Sequence, residues 1–352
     1  MIKPSENGYY FPAEWHPQIA TWLSFPVNTD TWEDRFPKIW PAYFELIRTI
    51  SLSQQVRINV ADENALRLIE TRISEAGIDP ARVELFPFKT NDSWCRDHGP
   101  AFLVNKYNDS RMIVDWEYNA WGGKYPPFNH DNAIPRQIAA ALHLPVVSPG
   151  IVMEGGSVEF NGKGTVLTSR SCLLNKNRNP HLTQGQIEEY LCDFYGVEQV
   201  LWVEDGIVGD DTDGHIDDTV RFVNEDTVIT VVEANKSDEN HALLEENLKL
   251  LKKMRLPGGR PLNIVEVQMP DPVYSEGLRL PASYANFLVT NGHVIVPTYR
   301  SKNDDKALEI IQQCFKDRVV TGIDSTEIIW GLGSFHCLSQ QEPQPNTEFY
   351  LR

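Results

Sequence analysis

Short apolar runs, broken by polar turns, recur along the chain in one order: strand, tight turn, strand, helix, strand. Four hairpins follow from this pattern. Pro100–Val104 pairs with Met112–Tyr118 around the polar turn Tyr107–Ser110, and Ser157–Phe160 pairs with Thr165–Ser169 around Asn161-Gly162. Thr219–Val223 pairs with Val228–Val232 around Asn224–Asp226, and Ala285–Val289 pairs with Val294–Thr298 around Asn291-Gly292. Asn-Gly between β-rich runs signals a hairpin because both residues tolerate positive φ. Amphipathic stretches follow the hairpins at Asn132–Leu144, Thr183–Tyr195, Asn240–Met254 and Asp304–Phe315. Thr183 and Gln186 have the spacing of a capping box. Short apolar strands come next, at Gln199–Val203, Leu262–Val267 and Val319–Gly322.

A repeat of ~60 residues built from ββαβ units predicts an α/β propeller of supersecondary blades. Four hairpins leave two apolar segments without partners, Ala20–Phe25 and Phe335–Ser339. Pairing them supplies a fifth hairpin, closes a pseudo-symmetric five-bladed ring and removes sheet edges. No Gly/Ser-rich or Pro-rich linker divides the chain, so residues 1–352 are expected to form a single domain. An open α+β sheet would use the same elements and is the alternative.

Composition narrows the function. Hydrophobic residues make up 41% and charged residues 23%, which is ample material for a core. The net charge is 32 − 49 = −17, with no compensating basic run. That argues against a nucleic-acid or anionic-membrane partner and suits a small cationic ligand. No apolar run approaches a membrane span and no leader-like segment opens the chain, so the expected location is cytoplasmic. The five cysteines are odd in number and lack a CxxC pair, which speaks against disulfides and structural zinc.

Four motifs carry groups able to do chemistry. His215 lies in Gly209-Asp-Asp-Thr-Asp-Gly-His-Ile-Asp-Asp218, just ahead of a strand. A calcium loop with Gly214 in sixth place would start at Gly209 and end at Val220, neither of which can ligate as required. A lone His-x-Asp is incomplete for zinc. The cluster reads either as an acidic surface turn or as a site. In the second case His215 and Asp217 share one face of an extended segment, a proton-transfer group beside a carboxylate. In Trp94-Cys-Arg-Asp-His-Gly-Pro100, Arg96 and Asp97 brace a turn, or Asp97 faces a planar cation that a carboxylate matches with two parallel hydrogen bonds. In Glu154-Gly-Gly-Ser157, Glu154 is a surface residue beside a bulge, or it orients a base or grips a cation.

The fourth motif, Gly331-Leu-Gly-Ser-Phe-His-Cys337-Leu-Ser-Gln-Gln341, sets Cys337 beside His336 after a glycine-rich turn. Cys172, Cys192 and Cys314 sit in apolar contexts and read as packing thiols. Cys95, inside the Asp97 loop, competes with Cys337 for a reactive role. Neither nucleotide-binding loop is complete: His336 stands where the third glycine of a dinucleotide loop belongs, and Gly164 follows Gly162-Lys163 where a P-loop needs Ser or Thr. Each motif occupies a comparable place at the entry to a hairpin strand or in the closing strand. In a pseudo-symmetric ring, such positions converge on the axis.

At these residues the sequence resembles the agmatine deiminases, members of the guanidine-modifying superfamily with the five-bladed pentein fold. The resemblance runs from Pro12-Ala-Glu-Trp-His-Pro17 through the Trp94, Glu154 and Asp210–Asp217 motifs to His336-Cys-Leu-Ser-Gln-Gln341. It also takes in Trp121-Gly-Gly-Lys-Tyr125 and Cys172–Pro180. It implies that Cys337 is the nucleophile and His215 the proton shuttle. Asp97 and Asp217 would hold the guanidinium, Glu154 would orient His215 or the substrate, and Trp94 would wall the substrate chain. It further implies hydrolysis of agmatine to N-carbamoylputrescine and ammonia through a covalent thiouronium, in polyamine metabolism, with no metal or organic cofactor. A homodimer or higher homo-oligomer is also implied. Peptidyl-arginine and free-arginine deiminases run the same chemistry and are the alternatives.

Overall fold

All four predicted hairpins are present in the computed structural model, which describes residues 2–32 and 34–346. Ala101–Asn105 pairs antiparallel with Arg111–Val114, and Val158–Phe160 with Thr165–Ser169. Val220–Phe222 pairs with Thr227–Val232, and Leu288–Val289 with His293–Thr298. Each hairpin's second strand then takes a parallel partner across a helix. The helices are Ile134–Leu142, Gln184–Tyr195, Glu239–Lys253 and Asp304–Cys314.

A fifth sheet of the same order joins the two ends of the chain. Ser339–Pro343 pairs antiparallel with Gln18–Ser24, which continues in parallel to Gln55–Asn59 and Val83–Phe86. The register sets Ser339 opposite Leu23. The expected pairing of the N-terminal and C-terminal segments is therefore present, with its C-terminal strand displaced toward the end of the chain. Phe335–Leu338 forms a turn instead. Its His336 and Cys337 amides donate to Asn286 Oδ1 at 3.1 and 3.3 Å, which removes them from any strand ladder. Cys337 thus precedes the closing strand and is not part of it.

Local sequence explains where the helices start and stop. The capping box at Thr183 and Gln186 forms as expected, and the helix ends at Gly196 with φ 67°. A Cβ at Gly196 would lie 2.4 Å from the Tyr9 carbonyl oxygen, so the turn needs glycine twice over. Asp238 caps the Glu239–Lys253 helix through Asn240 N–H, and Lys252 and Lys253 complement its C-terminal dipole. The helices bury one face against the sheets. In Phe36–Ser51 that face is Ile39, Tyr43, Leu46, Ile47 and Ile50. Two predicted strands are clearly shorter than expected: Met112–Tyr118 ends at Val114, and Ala285–Val289 is reduced to Leu288–Val289. Arg221 Nη1 donates to the carbonyls of Ala285 and Phe287, so these residues serve a side chain and the latter strand begins at Leu288.

Candidate active site

The first strand of each sheet repeat is preceded by a short turn that carries buried polar residues. The turns are Cys95–His98, Gly155–Ser157, Ile216–Asp218 with His215, the Ser283–Asn286 stretch, and Phe335–Leu338. Their side chains meet. Asp97 Oδ1 accepts the Gly156 N–H at 2.9 Å and lies 3.7 Å from His215 Nδ1, while its Oδ2 accepts Trp121 Nε1–H at 3.0 Å. A Cβ on Gly156 would stand 2.5 Å from His215 Nδ1, 2.9 Å from Asp97 Oδ1 and 3.1 Å from Asp217 Oδ2. Only glycine lets these three groups close on one another. The convergence expected of His215 and Asp217 is present, although Asp217 lies within a 3₁₀ turn that His215 immediately precedes, and not in an extended segment. Asp210 shapes the loop leading into that turn, its Oδ2 accepting the Gly214 and His215 amides at 2.9 and 3.1 Å.

Cys337 Sγ lies 3.6 Å from Asp217 Oδ2 and 3.0 Å from Asn286 Nδ2, which also donates to Asp218 Oδ1 at 2.9 Å. Glu154 is fully buried behind the histidine. Its Oε1 accepts Arg178 Nε–H at 2.5 Å, and a carboxylate oxygen lies within 4.8 Å of a His215 ring nitrogen. Neither ring nitrogen of His215, nor Glu154 Oε2, nor Asp217 Oδ1 has a hydrogen-bond partner among the described residues. Free polar atoms in so buried a place are costly unless a ligand meets them.

Burial sets the electrostatics. It pushes the Cys337 thiol well above its ordinary value, with Asp217, Asp218 and Asp97 adding to the rise. Burial lowers His215 to about 3, against the charge of Asp217. The pair is therefore a thiol and a neutral imidazole. Burial, Asp217 and Glu154 raise Asp97 well above the carboxylate range. Burial also opposes ionisation of Asp217, but the hydrogen bond to His336 at 2.7 Å and the charges of His336, His215 and Arg221 together outweigh it and leave that carboxyl below its ordinary value.

Cys337, Asp97 and Trp94 line a cleft of about 1050 Å³ that opens to solvent. Trp94 packs against Trp32 with ring centroids 5.6 Å apart. It needs the glycines of the closing turn, because a Cβ at Gly333 would lie 2.5 Å from its ring. Cys95 is fully buried in an apolar cluster with Trp22 and Phe102, and burial pushes its thiol up to about 12. The cleft rim is acidic. Asp92, Asp211 and Glu276 line it, and its two cations are already paired, Lys124 with Asp211 and Asp213 and Arg279 with Asp238 at 2.7 Å.

Sequence reasoning passed over a buried network behind Asp217. His336 Nδ1 faces Asp217 Oδ2, its Nε2 lies 3.1 Å from Glu14 Oε2, and Arg221 joins Glu14 to Glu159. Burial raises the Glu14 carboxyl, but Arg221 and His336 outweigh it and hold the group well below its ordinary range. Arg178, Asn286 and Asp218 were also missed as site residues. The available signal was charge inside apolar strands, as with Arg221 between Val220 and Phe222. Three buried clusters have metal-ligand atoms within 4.8 Å of one another, namely Glu154–Cys172–His215, Glu14–Glu159–His336 and Asp217–Asp218–Cys337. Arg178 pairs with the first and Arg221 with the second, while His336 and Asn286 bond the third.

Residues 10–343 match the model of the Porphyromonas-type peptidyl-arginine deiminases. The chain belongs to this family. An agmatine deiminase of Pseudomonas syringae pv. tomato is 32% identical over 97% of both chains. The structure of the Enterococcus faecalis agmatine deiminase superposes with a TM-score of 0.93 at 31% identity, covering 98% of this chain and 99% of that one. A C. jejuni agmatine deiminase solved with substrate bound gives a TM-score of 0.87 at 31% identity over 96% and 97%. Family membership and the mixed α/β fold thus agree with the sequence expectation. Among the described residues no helix is long and apolar enough to cross a membrane.

Proposed function

We propose that this protein hydrolyses agmatine to N-carbamoylputrescine and ammonia, with Cys337 as nucleophile, on five ββαβ units arranged as a closed propeller. The observation that carries the reading is that the Cys337 thiol and Asp97 line an acidic cleft, with Asp217 and an unpartnered His215 buried directly against them. The propeller reading is supported by five sheets of one order and by the pairing of the chain's two ends.

A guanidinium held between Asp97 and Asp217 is fixed in its plane and kept cationic, so its carbon stays open to attack. The bound cation also offsets the carboxylates that raise the Cys337 thiol. The S–C bond forms as the thiol proton passes through His215 to one amino nitrogen. That nitrogen leaves as ammonia with the C–N electron pair and gives an S-alkylthiouronium. Water then adds as His215 takes its proton. Collapse breaks the C–S bond, returns the thiol and releases the urea. Overall, guanidinium and water give a urea and ammonium. Glu154 orients the His215 ring, and Trp94 flanks the substrate chain.

The paired rim cations favour agmatine over free arginine, whose carboxylate would find no free cation among the described lining residues. The test is ammonia release from agmatine, free arginine and an arginine peptide by wild type and Cys337→Ala. Agmatine is expected to be the preferred substrate and the variant to be inactive. Undiminished release by Cys337→Ala, or preference for the peptide, overturns the reading.

A further inference from the structure

Two buried or half-buried charges take no part in the steps above. The Arg178 side chain is fully enclosed and satisfies four acceptors. Its Nε donates to Glu154 Oε1 at 2.5 Å. Its Nη1 donates to Asn177 Oδ1 and to Asp213 Oδ2, both at 2.7 Å, and its Nη2 donates to the Thr212 carbonyl at 2.8 Å. One Glu154 oxygen is thereby fixed while Oε2 is left without a partner, close to a histidine ring whose nitrogens are likewise unpartnered.

Asp213 holds this arginine from the far side. Its φ of 68° is rare for a residue with a side chain. The turn is completed by Gly214 at φ 98°, where a Cβ would meet Ser171 Oγ at 2.2 Å. So shaped, the turn aims the Asp213 carboxylate at three donors: Arg178, Asn177 Nδ2 at 2.9 Å and Lys124 Nζ at 2.9 Å. Lys124 closely follows Trp121, whose indole bonds Asp97. One run of charge-assisted bonds therefore connects the cleft wall to the carboxylate behind His215. Burial alone would drive Glu154 toward its neutral form, and Arg178 opposes that.

We propose that Arg178, clamped by Asp213, is a positioning residue for the deimination: it fixes one oxygen of Glu154 and leaves the other to orient the His215 ring for both proton transfers. The inference rests on His215 being the proton shuttle. A lysine cannot replace Arg178, since only the planar fork reaches Glu154, Asp213 and the Thr212 carbonyl together.

The test is a double-mutant cycle on the full chain with agmatine, comparing wild type, Arg178→Gln, Glu154→Gln and the double variant Glu154→Gln/Arg178→Gln. Quenched samples are read by intact mass for adduct on Cys337. Arg178→Gln is expected to lower kcat by ~100-fold, the scale of a lost acid–base contribution, with KM within about 3-fold. Adduct should both form and decay more slowly than in wild type, because both proton transfers are impaired. The double variant should match Glu154→Gln, since a residue acting through Glu154 has nothing left to position. It removes both buried charges together, so it keeps the test decisive if Arg178→Gln fails to fold. A double variant ~10-fold or more below Glu154→Gln overturns the proposal. So does an Arg178→Gln enzyme that turns over like wild type. Absence of ammonia release by wild type with any guanidine tested would instead sink the functional reading, and this inference with it.

Discussion

At the scale of single residues, the site is set by what burial does to charge. Cys337 and His215 are pushed toward their neutral forms, so under the proposed mechanism the thiolate is made at the moment a cation arrives. A cationic thiol reagent should therefore label Cys337 faster than its neutral isostere. We expect 2-chloroacetamidine to outpace 2-chloroacetamide by ~100-fold, because the rate follows the thiolate fraction that the bound cation favours. Equal rates by peptide mass mapping would show a preformed thiolate. Asp97 makes the complementary prediction about stability. Its folded pKa is raised, so the protonated form stabilises the fold at low pH, and that contribution is lost as pH rises through the folded pKa. At neutral pH the buried carboxyl is a liability, because the unfolded chain ionises it freely and the fold resists that ionisation. Asp97→Asn should raise Tm at pH 7.5 while abolishing turnover, with the gain in Tm shrinking as pH falls toward the unfolded value of about 4. A lowered Tm at pH 7.5 would count against it. That Cys337, His215, Asp97 and Asp217 stand together was legible in sequence because each lies in a motif just ahead of a strand in a repeated unit, and the family resemblance tied those motifs to one another. The network behind them was not, since Arg221 and Glu14 lie 207 positions apart and meet only after folding.

At the scale of elements, local signals were read well where the backbone alone decides. Asn161-Gly162 and Asn291-Gly292 mark real turns, and Thr183 with Gln186 marks a real helix start. The misreadings came where a remote side chain captures backbone groups. Asn286 takes the amides of His336 and Cys337, and Arg221 takes the carbonyls of Ala285 and Phe287. Phe335–Leu338 has the apolar content of a strand, and nothing local reveals Asn286. The same turns make the site intolerant of added atoms. Gly156 has an ordinary φ, so alanine there strains no backbone; its Cβ would strike the tip of His215 at 2.5 Å. Gly156→Ala should fold with a Tm close to wild type yet lower kcat by ~100-fold, as expected for a catalytic group displaced by about 1 Å. Wild-type kcat in a folded Gly156→Ala enzyme would mean that His215 is placed too loosely for the proposed shuttle.

At the scale of the whole molecule, the proposed nucleophile depends on how the chain's ends are joined. Cys337 sits two residues before the strand that pairs with Gln18–Ser24, so the thiol is placed by a contact between the first and last parts of the sequence. Glu342 secures that contact. It is fully buried and accepts Trp22 Nε1–H at 2.8 Å from the paired strand. It also accepts Arg57 and Arg111, both at 2.6 Å, from the neighbouring strand and from the first hairpin. Glutamine in its place would leave two arginines facing a neutral amide. Losing one member of such a buried ion cluster costs roughly 3 kcal/mol or more. If the joined ends are what positions Cys337, Glu342→Gln should lower the urea midpoint for folding and for activity together, with the two curves superimposed. Loss of activity well ahead of global unfolding would show instead that the closing strand opens on its own. In that case the five units would not form the cooperative ring proposed for them.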